Sequence, residues 1–96
     1  VPLDARSQPI PDAAYYVLSV DWSMSGWGPA EGKANICVVP CDDLVEATRV
    51  ARYVRSRPEQ SHIAIFESKP RDAPNVLFSN LDGWKRAARR WEDEQP

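Results

Sequence analysis

The sequence predicts a small two-layer α/β sandwich, ordered β-β-α-β-α, with a three-stranded mixed sheet and both helices on one face. Three observations carry this expectation. Ninety-six residues with 43% hydrophobic content are enough for one compact core and too few for two. Three short runs are dense in β-branched and aromatic residues, with side chains alternating between two faces. Two longer runs repeat apolar residues every three or four positions, as an amphipathic helix does.

Residues 1–13 (VPLDARSQPIPDA) hold three prolines and no apolar period, so they read as a flexible, Pro-rich arm ahead of a single domain at 14–95. Tyr15 to Trp22 is the first strand, and its largely apolar faces suit a central position. Residues 23–32 cannot continue it, because three glycines and a proline interrupt the run. Lys33 to Val39 is the second strand, closed by Pro40.

Asp43 with Glu46 three residues later fits a capping box, with Asp42 as a competing cap. Leu44, Val45, Ala47, Thr48, Ala51 and Val54 then mark the inner side of a helix, leaving Glu46, Arg49, Arg52 and Arg55 outward. Arg57-Pro58 ends it, since the residue before proline is pushed out of helical geometry. Ser61 to Glu67 is the third strand. Val76-Leu77-Phe78 is either a turn of strand or core filler. Ser79 with Asp82 offers a cap for the last helix, whose apolar stripe is Leu81, Trp84, Ala88 and Trp91. The crossover from the second to the third strand should be parallel and right-handed. The first strand is the most apolar and goes to the centre, giving order 2-1-3, with 1-2-3 as the alternative.

Charge is unevenly placed although the net value is −2. Residues 1–48 carry two basic and seven acidic side chains, whereas residues 49–90 carry ten basic and four acidic. Arg49, Arg52 and Arg55 form one helical group, and Arg86, Arg89 and Arg90 another. Either could neutralise phosphates, or simply solvate a helix face. No stretch approaches the roughly 20 apolar residues that span a membrane, and the start lacks a basic-then-apolar leader pattern.

Cys37 and Cys41 would lie about 13 Å apart in one extended strand, beyond disulfide reach. With a single histidine, His62, the chain has no zinc-site spacing, so two free thiols and no metal are expected. Cys41 at a helix start is a conceivable nucleophile, though a packed thiol is the simpler reading. His62 has no partner visible in the sequence.

The densest group of unusual residues is Ser23-Met-Ser-Gly-Trp-Gly-Pro-Ala-Glu-Gly-Lys33. A Walker loop would need a glycine where Trp27 stands and a Ser or Thr where Ala34 stands. A dinucleotide fingerprint fails at Glu31, and a strand follows where both motifs need a helix. No nucleotide cofactor is expected. The loop can still converge backbone N–H groups on an anion, supplemented by Ser25 and Lys33, or present Trp27 to a partner. Equally, it could be a plain connection with Trp27 folded over the sheet.

The run Ser25-Gly-Trp-Gly-Pro-Ala-Glu-Gly-Lys-Ala-Asn35, followed by Val39-Pro-Cys-Asp-Asp43, Glu46-Ala47, Val50, Arg57 and Lys69-Pro70, resembles a family of small proteins encoded by bacteriophages and prophages. The likeness covers about residues 15–70, and the family has no assigned activity. It implies a phage origin and the cytoplasm of a bacterial host. The family's recurring positions fall on Ser25, Gly26, Trp27, Gly28, Glu31, Gly32, Asn35, Cys41, Asp42 and Arg57. The Pro-rich arm and the Arg-rich last helix lie outside the pattern.

Three functions follow as expectations. The first is a non-catalytic accessory module that engages a host or defence component, either a protein surface or a small signalling molecule. Its binding residues would be Ser25, Gly26, Trp27, Gly28, Glu31, Gly32, Lys33, Asn35 and Arg57. The second is nucleic-acid binding through the six arginines, which the acidic first half and a pI near 5.3 oppose. The third is a small enzyme, for which no catalytic set is evident.

Overall fold

The computed structural model describes residues 9–22, 34–71 and 76–96. Among them the elements are β1 (Tyr15–Asp21), β2 (Ala34–Cys41), α1 (Leu44–Arg55), β3 (Gln60–Phe66), β4 (Val76–Asn80) and α2 (Trp84–Asp93). They form one mixed sheet in the order β3-β1-β2-β4. β1 runs antiparallel to both β2 and β3, and β4 runs parallel to β2.

The expected small α/β sandwich is present, but the sheet has four strands rather than three, so its order is β3-β1-β2-β4 rather than 2-1-3. The addition is β4, built from Val76-Leu77-Phe78-Ser79-Asn80 against the open side of β2. So short a run becomes a strand because β2 supplies the partner row, not because of its own pattern. β1 lies between β2 and β3. β2 also runs through Pro40 to Cys41 instead of stopping at Val39. Pairing with β4 ends at Val38, so the missing proline N–H faces no ladder on that side.

Both helices cover the face that carries Tyr15, Val17, Val39, Cys41, Ile63 and Ile65, where Ala47, Val50, Ala51, Val54 and Ala88 complete the core. Asp43 caps α1 by accepting the Glu46 N–H at 2.8 Å. Glu46 returns the bond to the Asp42 N–H rather than to Asp43 itself. Glu46 is thereby buried, while Leu44 and Val45 are exposed. The inner stripe is therefore Glu46, Ala47, Val50, Ala51 and Val54, a shift of phase from the expected one. The expected cap on α2 is absent. Ser79 lies inside β4 bonded to Asn35, and Gly83 holds the N-cap position without a side-chain bond.

The far face carries Tyr16, Leu18, Val20, Ile36, Val38, Pro40, Ala64, Phe66 and Phe78 by alternation. Residues 9–13 are attached across part of it. The Tyr16 hydroxyl accepts from the Ala13 N–H at 2.7 Å and donates to the Pro11 carbonyl at 3.3 Å. Asn80 Nδ2 donates to the Pro9 carbonyl, and Lys69 pairs with Asp12. Tyr16 and Val38 on this face are fully buried.

Candidate functional site at the loop end of the sheet

Along the helix-covered face, the dry core gives way to polar groups toward the end where β1 stops and β2 begins. Ser19 and Asp21 of β1, Asn35 of β2, Gln60 of β3 and Ser79 of β4 are all buried there, beside Cys37. Strand register explains the grouping. Ser19 faces Cys37, Cys37 faces Ser79, and Asp21 faces Gln60, so the side chains form neighbouring rows across all four strands. Ser19 Oγ donates to Gln60 Oε1 at 2.6 Å and Ser79 Oγ donates to Asn35 Oδ1 at 3.0 Å. The Cys37 thiol points to Asp21 Oδ2 at 3.8 Å.

Five buried polar side chains in so small a domain are expensive unless each finds partners. Among the described residues, Gln60 Nε2 is a buried donor with no hydrogen-bond partner, although its amide lies near the Cys37 sulfur. Burial, followed by the neighbouring Asp21 carboxylate, pushes the Cys37 thiol up to about 12. Burial and Glu46 do the same for Cys41, also to about 12. Both cysteines are free, and at neutral pH both are protonated and packed. The nucleophile considered at Cys41 is therefore not available as a thiolate.

Arg57 stands beside this floor, in a fixed pose. Its Nη2 and Nε contact Glu59 Oε1 at 2.6 and 2.7 Å, and its Nη1 donates to Tyr53 Oη at 2.9 Å. The guanidinium stacks 4.9 Å from the Trp84 ring centre and 5.8 Å from that of Tyr53. Partial burial works to lower its pKa, and the bonds to Tyr53 and Glu59 outweigh that, so the net shift is upward. Tyr53 also meets Trp91 edge-on, and Arg52 lies over Trp91, which continues the stack along the α1–α2 seam.

On the opposite face of the same sheet end, Trp22, Ser61 and His62 cluster at the surface. Trp22 is 59% exposed, and its Nε1–H donates to Ser61 Oγ, which in turn lies 2.8 Å from His62 Nδ1. His62 adopts φ 54°, in the left-handed region, where β3 slips register against β1. An extra residue at that bulge turns the imidazole toward Trp22, with ring centres 6.5 Å apart. This pairing was hidden in the sequence because it depends on cross-strand register.

Of the sequence-predicted residues, Ser25, Gly26, Trp27, Gly28, Glu31, Gly32 and Lys33 lie outside the described residues. Their flanks do not, since Trp22 and Ala34 leave the strands at the polar end. Asn35 is part of the buried floor, and Arg57 is close enough to the floor's Cys37 to act on it electrostatically. Cys41 and Asp42 lie at the other end of β2. There Asp42, Glu46 and Asp82 face Lys85, Arg86 and Arg89 across a mixed-charge cleft of about 530 Å³.

Three of the six arginines are ion-paired. Arg49 and Arg52 pair with Glu92, and Arg89 pairs with the buried Glu46 at 3.1 Å. Arg55, Arg86 and Arg90 make no ion pair among the described residues. These differences set an expected result for three single variants. Arg89→Gln should cost about 1 kcal/mol, because it strips a charge partner from Glu46. Arg86→Gln and Arg90→Gln should stay within about 0.5 kcal/mol of wild type in denaturant titrations. Equal losses for all three would contradict the ion-pair assignment.

No protein-family model, curated protein or solved structure matches this chain.

Proposed function

We propose that this chain is a non-catalytic binding module of phage origin, which engages a host or defence component through the connection between β1 and β2. The partner would be a protein surface or a small signalling molecule. The observation that carries the reading is the buried polar floor of Ser19, Asp21, Asn35, Gln60 and Ser79 beneath the points where that connection leaves and rejoins the sheet. Apolar residues at these positions would stabilise the fold more. The polar side chains bond to one another, Ser19 to Gln60 and Ser79 to Asn35, which fixes the floor next to the ends of that connection.

The resemblance of the SGWG–AEG run to small phage proteins supports the origin, and Arg57 and Asn35 tie two of its recurring positions to this end of the sheet. A cysteine nucleophile is disfavoured because both thiols are buried and held protonated. Nucleic-acid binding is disfavoured because three of the six candidate arginines are already engaged by glutamates. Among the described residues no helix is long and apolar enough to cross a membrane.

The test compares wild-type, Trp22→Ala and Trp27→Ala baits in host lysate, recovering proteins and extracted small molecules, with a thermal melt of each bait. Trp22 is exposed, so its truncation should leave the melt within a few degrees while removing a contact that can carry about 2 kcal/mol of binding. Loss of a specific ligand from either variant at an unchanged melt supports the proposal. Retention of every ligand by both folded variants overturns it, as does affinity only for nucleic acid that collapses between roughly 50 and 200 mM salt.

A further inference from the structure

We propose that the far face of the sheet between Tyr16 and Asn80 is a docking surface for an extended Pro-aliphatic-Pro-acidic segment of a partner protein, and that residues 9–13 occupy it as an internal pseudo-ligand. Tyr16 lies at the opposite end of β1 from the β1–β2 connection, so this is a second surface. Residues 9–13 belong to no strand, and their bonds are not those of a ladder. Two carbonyls two residues apart each meet a side-chain donor: Asn80 Nδ2 donates to that of Pro9, and the Tyr16 hydroxyl to that of Pro11. The same hydroxyl accepts the Ala13 N–H. Lys69 meets Asp12, the acid that follows the second proline. Ile10 between the prolines is half-buried, while both prolines are exposed.

Such contacts suit a proline-rich segment. Proline offers a carbonyl but no N–H, and its fixed φ keeps the chain extended at little entropic cost. Ile10 precedes a proline and is restricted too, so Pro9-Ile10-Pro11 meets the sheet already shaped. The receiving groups keep their places without the arm. The Tyr16 ring is buried in the sheet, which fixes its hydroxyl. Asn80 Oδ1 accepts the Asp82 N–H, which turns Nδ2 toward the arm. The arm itself is lightly held. Among the described residues, three of its four polar contacts are at 3.3 Å, and the Asp12 side chain is 95% exposed. A tethered segment competes at roughly millimolar effective concentration, so an external segment of the same pattern gains access once the arm is loosened.

Chemical-shift titration of the full chain with a capped peptide of residues 9–14 (PIPDAA) tests this. Ile10→Asp and Asp12→Lys each loosen the arm and leave Tyr16, Asn80 and Lys69 intact, and faster amide exchange at Ala13 reports the release. The peptide is expected to bind these variants at least tenfold more tightly than wild type, shifting the Asn80 side-chain amide. A peptide carrying Pro9→Ala and Pro11→Ala should bind at least fivefold more weakly. Adding Tyr16→Phe to Asp12→Lys should weaken peptide binding at least fivefold, with the arm still free and the chain still melting cooperatively. An arm that stays protected in both loosened variants overturns the proposal. So does a released arm with no gain in peptide affinity, equal binding of the alanine peptide, or a gain that Tyr16→Phe leaves intact.

Discussion

Replacing Tyr16 by alanine is expected to cost about 3–5 kcal/mol, which in a domain of this size lowers the melting temperature by roughly 20 °C or more. The ring is 2% exposed and fills the far face of the sheet beside Val38. Its hydroxyl also accepts the Ala13 N–H and donates to the Pro11 carbonyl. Tyr16→Phe separates the two contributions: it keeps the ring and should cost only about 1 kcal/mol. That variant should also release residues 9–13, seen as faster amide exchange at Ala13 with the strands still protected. Equal, small losses for the alanine and phenylalanine variants would mean that the ring is not part of the core.

Alkaline pH should destabilise the protein steeply. An unfolded thiol ionises near pH 8.5–9, whereas burial holds Cys37 and Cys41 at about 12. Between those values the unfolded chain has lost protons that the folded chain retains, so stability falls as pH rises. It is fully present below about pH 8.5 and is lost progressively toward pH 12. At pH 10.5 the two thiols together should cost on the order of 4 kcal/mol, from about 1.4 kcal/mol for each unit and each group. Denaturant titrations at pH 7, 9 and 10.5 will show the fall. In Cys37→Ala/Cys41→Ala the baseline will be lower and the slope much flatter, because tyrosine ionisation is common to both proteins. An unchanged slope would refute the assignment.

Much of the fold was legible in local patterns. The alternation in Tyr15–Asp21 and Ile63–Phe66 and the three-to-four spacing of Ala47, Ala51 and Val54 in one helix and of Leu81, Trp84, Ala88 and Trp91 in the other need no knowledge of neighbours. β4 was less legible, because Val76-Leu77-Phe78 is too short to show a period and becomes a strand only against Ala34–Val38. The start of α1 misled for a related reason. Leu44 and Val45 look like core, yet Glu46 takes the inner position because Asp42 and the distant Arg89 both bind its carboxylate. At the candidate site, Ser19 and Asp21 showed in the sequence as the polar end of one strand face. Their partners Gln60 and Ser79 became visible only once register was set. Trp22, Ser61 and His62 meet through a bulge, which no spacing rule announces.

The parallel pairing of β4 with β2 also bears on how the chain assembles. β1 and β2 pair across 16 to 26 positions, whereas the β1–β3 and β2–β4 pairings both join segments about forty or more positions apart. Joining such distant segments carries a larger loop-closure penalty than closing the β1–β2 pair, so β3 and β4 both dock after it. During synthesis, one flank of β2 therefore stays open until Val76–Asn80 has left the ribosome. Until then β2 presents an unpaired border. The interval before β4 docks is consequently the period when this protein is most exposed to aggregation and to capture by chaperones.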